Sequence, residues 1–129
     1  NGYTQASLDL INQTRVRAGL PLLTMTTVST LAAFETNLSN ERKLEFAFEN
    51  QRWFDLLRFS STLPSIKIMD VLKAHFAVMY PLHYMSYPAP KLSLLDMQNL
   101  VTTNKMILPI PQREIDNNTG LVIQQNPGY

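Results

Sequence analysis

The chain contains no cysteine, and this absence excludes several kinds of chemistry within the sequence. Disulfide bonds, thiolate nucleophiles and cysteine-ligated metal sites all require a cysteine sulfur. The absence of cysteine does not fix the compartment of the protein. Stability must therefore come from packing, hydrogen bonds and ion pairs.

Charge is also sparse and nearly balanced. Charged residues make up 16% of the sequence, and the formal net charge is +1. This composition offers neither the basic surface that binds nucleic acid nor an acidic tail. The hydrophobic fraction of 45% is typical of a globular protein rather than a disordered one. With 129 residues, the chain is long enough for one domain with a modest core.

Long hydrophobic runs are missing as well. No segment approaches the roughly 20 apolar residues that a membrane-spanning helix needs. The first residues, NGYTQASLDL, lack the initiator methionine, basic region and apolar region of a signal peptide. We therefore expect the sequence to be a piece of a longer or processed protein, with any targeting signal upstream.

The periodicity of apolar residues predicts a mainly helical chain that ends in an irregular tail. A helix over 4–18 is predicted to stop at Gly19 and Pro21. A helix from residue 30 either runs on or breaks near 37–40. The remaining predictions are a continuous helix over 41–59, a helix over 66–80, a loop over 81–90, a short helix or turn over 96–104, and an extended tail from 106.

The segment ERKLEFAFENQRWFDLLR, residues 41–58, combines many charges with many large apolar side chains. On a continuous helix its charges lie three or four residues apart and form one connected row. The row consists of Arg42, Glu45, Glu49, Arg52, Asp55 and Arg58. Because apolar residues fill most of the remaining circumference, we expect a largely buried helix whose charges are paired. Arg15 and Arg17 of the first helix are the expected partners.

One functional interpretation of this row competes with a structural one. Glu45 with Glu49 or Asp55 could form the carboxylate pair of a glycoside hydrolase. However, the interleaved arginines favour ionised carboxylates, whereas a general acid needs a raised pKa. A structural ion network is therefore the preferred interpretation, with no catalytic residues. A helical adaptor that binds a partner chain is a third hypothesis.

Aromatic residues supply the candidates for ligand contact. Trp53, the only tryptophan, could stack on a sugar, but its place in the charged helix favours core packing. Tyr80, His83, Tyr84 and Tyr87 cluster in and beside a proline-rich loop, where binding residues are often displayed. These four either contact a ligand or anchor the loop against the helices. No metal site is predicted, because the two histidines have no acidic companion at ligand spacing.

Three segments, in order, resemble the SusD/RagB family. Residues 41–58 are similar to its charged signature at Glu41, Arg42, Glu45, Ala47, Phe48, Glu49, Arg52, Trp53, Phe54, Asp55, Leu56 and Arg58. INQTRVRAGLP (11–21) and LPIPQREIDNNTGLVIQQNPGY (108–129) resemble the family's helix end and C-terminal ending. The family usually has glycine where this chain has Asn50, a departure that we expect a helix to tolerate.

The resemblance implies both a fold and a role. It implies an all-α, tetratricopeptide-like framework with a loop-rich, extended C-terminal tail, and residues 1–129 would form the C-terminal part of a SusD-like domain. Such proteins are outer-membrane lipoproteins of the Bacteroidota that capture glycans or peptides for a SusC-like TonB-dependent transporter. They use no cofactor and are not enzymes. Their lipid anchor would lie outside this sequence, and the signature residues would serve as scaffold.

Overall fold

A computed structural model describes residues 2–89 and 91–129, which form two compact units that divide between Ile68 and Met69. All regular structure in this part of the chain is helical, which confirms the all-α prediction. The α-helices are α1 (Gln5–Arg17), α2 (Leu31–Glu45), α3 (Gln51–Thr62), α4 (Ile68–Leu82), α5 (Leu94–Asn99) and α6 (Gln112–Asn117). Two 3-10 turns span Tyr84–Ser86 and Thr103–Met106.

The first helix begins and ends as its sequence predicts. Thr4 is the N-cap, and its hydroxyl and backbone form a reciprocal capping box with Ser7. Gly19 follows the last turn with a φ of +67°, the left-handed conformation that stops a helix. Asn12 then fixes the following loop, because its side-chain amide donates to the Leu23 carbonyl and accepts from the Leu23 amide, both at 2.8 Å.

The second helix runs unbroken from Leu31 to Glu45 and then stops, so the predicted continuous helix over 41–59 is wrong. Residues 46–50 form turns, in which Phe48 and Asn50 have φ values of +69° and +56°. Asparagine enters this left-handed region more readily than most residues other than glycine. The family's usual glycine is therefore replaced at a turn and not within a helix, contrary to our expectation for Asn50.

The turn brings two charged residues together that a continuous helix would hold far apart. Arg42 donates to both carboxylate oxygens of Asp55, from Nη2 at 2.9 Å and from Nε at 3.0 Å. On one helix, 13 residues would separate them by about 20 Å at 1.5 Å per residue. Arg58 also donates to Asp55, at 2.6 Å. One buried carboxylate thus bridges α2 and α3.

The charged row that the sequence predicts is replaced by pairs between segments. Arg15 pairs with Glu41, and Arg17 pairs with Glu45, so the expected partners from the first helix are confirmed. Arg52 donates to the carbonyl and the hydroxyl of Ser39, each at 2.9 Å. Asp55–Arg58 is the salt bridge of the predicted row that the structure retains between neighbouring residues.

The pKa values of two of these groups reflect their burial. Burial alone would raise the pKa of Asp55, which is 1% exposed, but hydrogen bonds and charge from Arg42 and Arg58 lower it below the ordinary value. Burial lowers the pKa of Arg52, and the nearby charge of Asp55 partly offsets that change. Asp55 is therefore held ionised.

The core of the first unit contains few of the apolar residues of the charged segment 41–58. Its buried apolar residues are Leu8, Ile11, Val28, Leu56, Phe59, Ile66 and Ile68. Within residues 41–58, Leu56 is the buried apolar residue, whereas Leu44, Phe48 and Phe54 are exposed, so the expectation of a largely buried helix is wrong. Of these three residues, Phe48 lies in the turn at 46–50, Leu44 in α2 and Phe54 in α3. Glu35 is also buried and accepts from the Ser65 amide at 2.8 Å.

Side-chain amides hold the tail of the second unit. Gln125 accepts from the Ile110 amide at 2.7 Å and donates to the Ile110 carbonyl at 2.8 Å, so it occupies both backbone groups of one residue. Asn126 donates to the Leu108 carbonyl at 2.7 Å. The Leu108 side chain is exposed, so at this residue the tail is held through the backbone carbonyl. The short helix α6 interrupts the extended segment.

The turn at Asn50 predicts an unusual order of stabilities. Because Asn50 is left-handed, we expect Asn50→Gly to leave the free energy of unfolding unchanged or raised. Asn50→Ala should lower it by about 1 kcal/mol, since other L-residues are disfavoured in this conformation by about 1–2 kcal/mol. Urea denaturation measures both. A continuous helix would reverse the order, because alanine exceeds glycine there by about 1 kcal/mol.

The Asp55 bridge predicts a pH-dependent loss of stability. Asp55→Asn should lower the free energy of unfolding at pH 7 by about 1.5–3 kcal/mol, the range for hydrogen bonds to charged groups. Because the folded pKa is depressed, this contribution is complete above the ordinary carboxyl pKa of about 3.9. The contribution is lost as pH falls through the folded pKa of Asp55, so the free energies of unfolding of the wild type and Asp55→Asn should converge in acid.

Glu49→Gln is the matched control for Asp55→Asn, because Glu49 lies exposed on the turn beside the bridge. Its effect should stay within about 0.5 kcal/mol. Urea titrations from pH 7 to acid would compare the three proteins. A difference between the wild type and Asp55→Asn that is independent of pH would contradict the ionised bridge.

The two hydrogen bonds between Gln125 and the Ile110 backbone, called the Gln125 clasp, predict that changing glutamine to glutamate has different effects at positions 124 and 125. Gln125→Glu replaces the amide that donates to the Ile110 carbonyl with an oxygen that only accepts. We expect the free energy of unfolding to fall by about 1–3 kcal/mol and the Ile110 amide to exchange its hydrogen faster. Gln124→Glu is the control, since Gln124 is exposed. Equal effects of the two variants would show that charge alone, and not the clasp, is responsible.

Candidate functional site

Three tyrosine rings form a row at the end of α4. Tyr80 and Tyr84 stack with centroids 6.4 Å apart and an interplanar angle of 19°. Tyr84 and Tyr87 follow at 5.9 Å, tilted by 41°. Pro81 lies within the last turn of α4 and provides no amide hydrogen, and the helix ends one residue later, at Leu82. The 3-10 turn that follows begins at Tyr84, which lies four residues after Tyr80 in the sequence.

A cavity of about 350 Å³ lies against this row. Its lining residues are Tyr84, Tyr87, Pro88, Lys91, Leu92 and Met97. The volume is at the small end of the range of about 300–1,000 Å³ that is usual for ligand pockets. The wall is mostly aromatic and apolar, with two phenol hydroxyls and one ammonium group as its polar side-chain groups. Such a wall suits a ligand that has both apolar faces and hydrogen-bonding groups.

Hydrogen bonds fix the segments that form the cavity. The Tyr80 hydroxyl donates to the Leu92 carbonyl at 3.1 Å and so ties the end of α4 to the loop before α5. Ser93 caps α5 in a reciprocal capping box with Asp96, and these hydrogen bonds lower the pKa of Asp96. Gln98 of α5 donates to the Lys73 carbonyl of α4 at 3.1 Å. The Lys91 ammonium group donates to the Met85 carbonyl.

The four residues that the sequence suggests for ligand contact have different positions. Tyr84 and Tyr87 line the cavity, and Tyr80 stacks behind Tyr84. His83 is exposed and does not line the cavity, and its carbonyl accepts from the Ser86 hydroxyl at 2.8 Å. Sequence reasoning missed Lys91, Leu92 and Met97, because these residue types occur throughout soluble proteins. Their contribution depends on the path of the chain.

A second cavity of about 350 Å³ lies between α1 and α2 in the first unit. Arg17, Glu41, Arg42, Glu45 and Phe46 contribute to its wall. Each of these charged groups already has a partner, and the Arg42 guanidinium also lies 4.8 Å from the centre of the Phe46 ring. A ligand there would have to break ion pairs before binding. The tyrosine cavity is therefore the stronger candidate.

The geometry of the charged signature does not suit a hydrolase. Asp55 is buried and held ionised, Glu45 is paired with Arg17, and Glu49 is exposed on the turn. A glycoside hydrolase needs one carboxyl group with a raised pKa and a second across a substrate cleft. Trp53 is half-buried in α3, within the same scaffold. Residues 2–89 and 91–129 contain no group of three His, Asp or Glu side chains that could hold a metal ion.

Comparison with known proteins identifies the family. The model of the SusD family matches residues 1–129. At the level of the family, its members bind glycans or other nutrients rather than catalyse reactions, and they are typically associated with the cell surface. No helix among the described residues is long and apolar enough to cross a membrane. Searches of curated proteins and of solved structures found no match. Because the family match covers every residue of the sequence, the chain belongs to the SusD family.

Proposed function

We propose that the protein binds oligosaccharides at the outer surface of the outer membrane and delivers them to a SusC-like TonB-dependent transporter for import. The observation that carries the proposal is the tyrosine row against a cavity in a member of a nutrient-binding family. The tyrosine cavity, defined by Tyr84, Tyr87, Pro88, Lys91, Leu92 and Met97, is proposed as one ligand contact of the protein.

The chemistry of the cavity suits a sugar ring. A pyranose has apolar C–H faces and a rim of hydroxyl groups, so it needs both a flat apolar surface and polar partners. The rings of Tyr84 and Tyr87 provide the surface, and their hydroxyl groups can donate or accept hydrogen bonds. The hydrogen bond from Tyr80 to Leu92 holds the row in place before a ligand arrives, which reduces the entropy lost on binding.

Peptides are the alternative ligand class that the family resemblance leaves open. An apolar side chain could enter the same cavity, and its aromatic wall would accept it. The phenol hydroxyls of the cavity wall favour a ligand with many hydroxyl groups, so oligosaccharides are proposed first. A peptide library on the same protein provides the comparison.

Delivery to the transporter and attachment through a lipid outside this sequence are proposed on the family assignment alone. Uptake of a labelled oligosaccharide by cells tests delivery. Loss of uptake when either this protein or the adjacent transporter is deleted would support it. Undiminished uptake without the transporter would contradict it.

The tyrosine cavity predicts which aromatic substitutions weaken ligand binding. In the full-length protein, Tyr84→Ala and Tyr87→Ala should each lower the affinity for a bound oligosaccharide by about tenfold. That change corresponds to about 1.4 kcal/mol, which is within the range for one aromatic contact. Isothermal titration calorimetry with ligands from a glycan array measures the effect.

Two control variants make this result specific to the cavity. Tyr129→Ala removes a tyrosine of the same unit that lies beneath the Lys105 ammonium and away from the cavity lining. His83→Ala removes the candidate that does not line the cavity. Both should keep the wild-type affinity. An effect of His83→Ala equal to that of Tyr84→Ala would indicate a different site, and no binding to any glycan or peptide would contradict the proposed function.

A further inference from the structure

Lys91 is the charged residue of the tyrosine cavity, and its surroundings leave its charge uncompensated. The other lining residues, Tyr84, Tyr87, Pro88, Leu92 and Met97, are uncharged. Within the described parts of the chain, Lys91 forms no salt bridge with a carboxylate. Lys91 is exposed, so its ammonium group stays accessible to an anionic group of a ligand that enters the cavity.

The hydrogen-bonding capacity of Lys91 is only partly used. Its ammonium group has three donors and donates to the Met85 carbonyl. This contact orients the side chain without neutralising it, since a carbonyl carries no net charge. Two donors therefore remain for a ligand, on an ammonium group that the Met85 carbonyl already contacts.

The nearest acidic residue along the chain is occupied elsewhere. Asp96 accepts from the Ser93 hydroxyl at 2.6 Å and from the Ser93 amide at 3.1 Å, at the start of α5. It does not line the cavity. The charge that a ligand meets inside the cavity is therefore that of Lys91.

From this arrangement we propose that the tyrosine cavity selects oligosaccharides that carry an anionic group, a ring carboxylate or a sulfate ester, and that Lys91 determines this selectivity. The inference rests on the proposed function, because it assigns a ligand class to the same cavity. The tyrosines stack on the sugar ring, and Lys91 pairs with its acidic substituent. A lysine ammonium is a compact point charge that pairs with either a carboxylate or a sulfate, so experiment has to distinguish these two substituents.

Matched ligands test the selectivity in the full-length protein. Calorimetry compares oligogalacturonate with its methyl ester and a sulfated oligosaccharide with its desulfated form. We expect one of the acidic ligands to bind about five- to tenfold more tightly than its neutral partner at low ionic strength. The preference should decrease as salt is added, because an exposed ion pair is screened.

Substitutions at Lys91 separate charge from structure. Lys91→Gln retains a donor for the Met85 carbonyl and should abolish the preference while neutral ligands bind as before. Lys91→Arg should preserve the preference. Lys73→Gln is the control, because Lys73 is an exposed lysine of α4 in the same unit and does not line the cavity. It should leave the preference unchanged.

The outcomes distinguish failure of this inference from failure of the proposed function. Equal binding of acidic and neutral ligands, or a preference that survives Lys91→Gln, overturns the selectivity and leaves oligosaccharide binding intact. If no glycan binds, or if Tyr84→Ala does not weaken the binding that is observed, the cavity is not the binding site. A preference for the acidic ligand that only Lys91→Gln abolishes supports the inference.

Discussion

The buried carboxylate of Asp55 organises the first unit. It accepts two hydrogen bonds from Arg42 and a third from Arg58, so a charge that is costly to bury becomes the link between α2 and α3. The link requires the chain to reverse between residues 45 and 51, and the left-handed residues Phe48 and Asn50 make that reversal possible. Phe48, which lies in this turn, is exposed.

The second unit is held together by a different principle. Val101 is buried, whereas many of the large apolar residues of this unit are exposed. Polar contacts compensate: Gln125 pairs with the backbone of Ile110, Asn126 binds the Leu108 carbonyl, and Lys105 donates to the Gly128 carbonyl at 2.8 Å. A unit that depends on specific hydrogen bonds has a well-defined backbone without a large core. The tyrosine cavity lies in this unit.

The two units therefore divide scaffold from candidate site. The charged signature that identifies the family occupies the first unit, where Glu41 and Glu45 pair with arginines of α1 and Asp55 pairs with Arg42 and Arg58. The tyrosine cavity, in contrast, contains hydroxyls and an ammonium group with remaining hydrogen-bonding capacity. The segment that is most informative about family membership is thus separate from the one that is best suited to bind a sugar.

By itself, the sequence determined the helical class, the capped first helix, the pairing of Arg15 and Arg17 with the charged segment, and the family. These features depend on local propensity and on residue types at fixed spacings. Only the tertiary structure decided that the charged segment breaks, because the segment contains no glycine or proline and the Arg42–Asp55 contact joins residues 13 apart. It also decided which residues surround the cavity. Lys91 and Met97 meet Tyr84 only after α4 and α5 are positioned, and no spacing rule encodes that meeting.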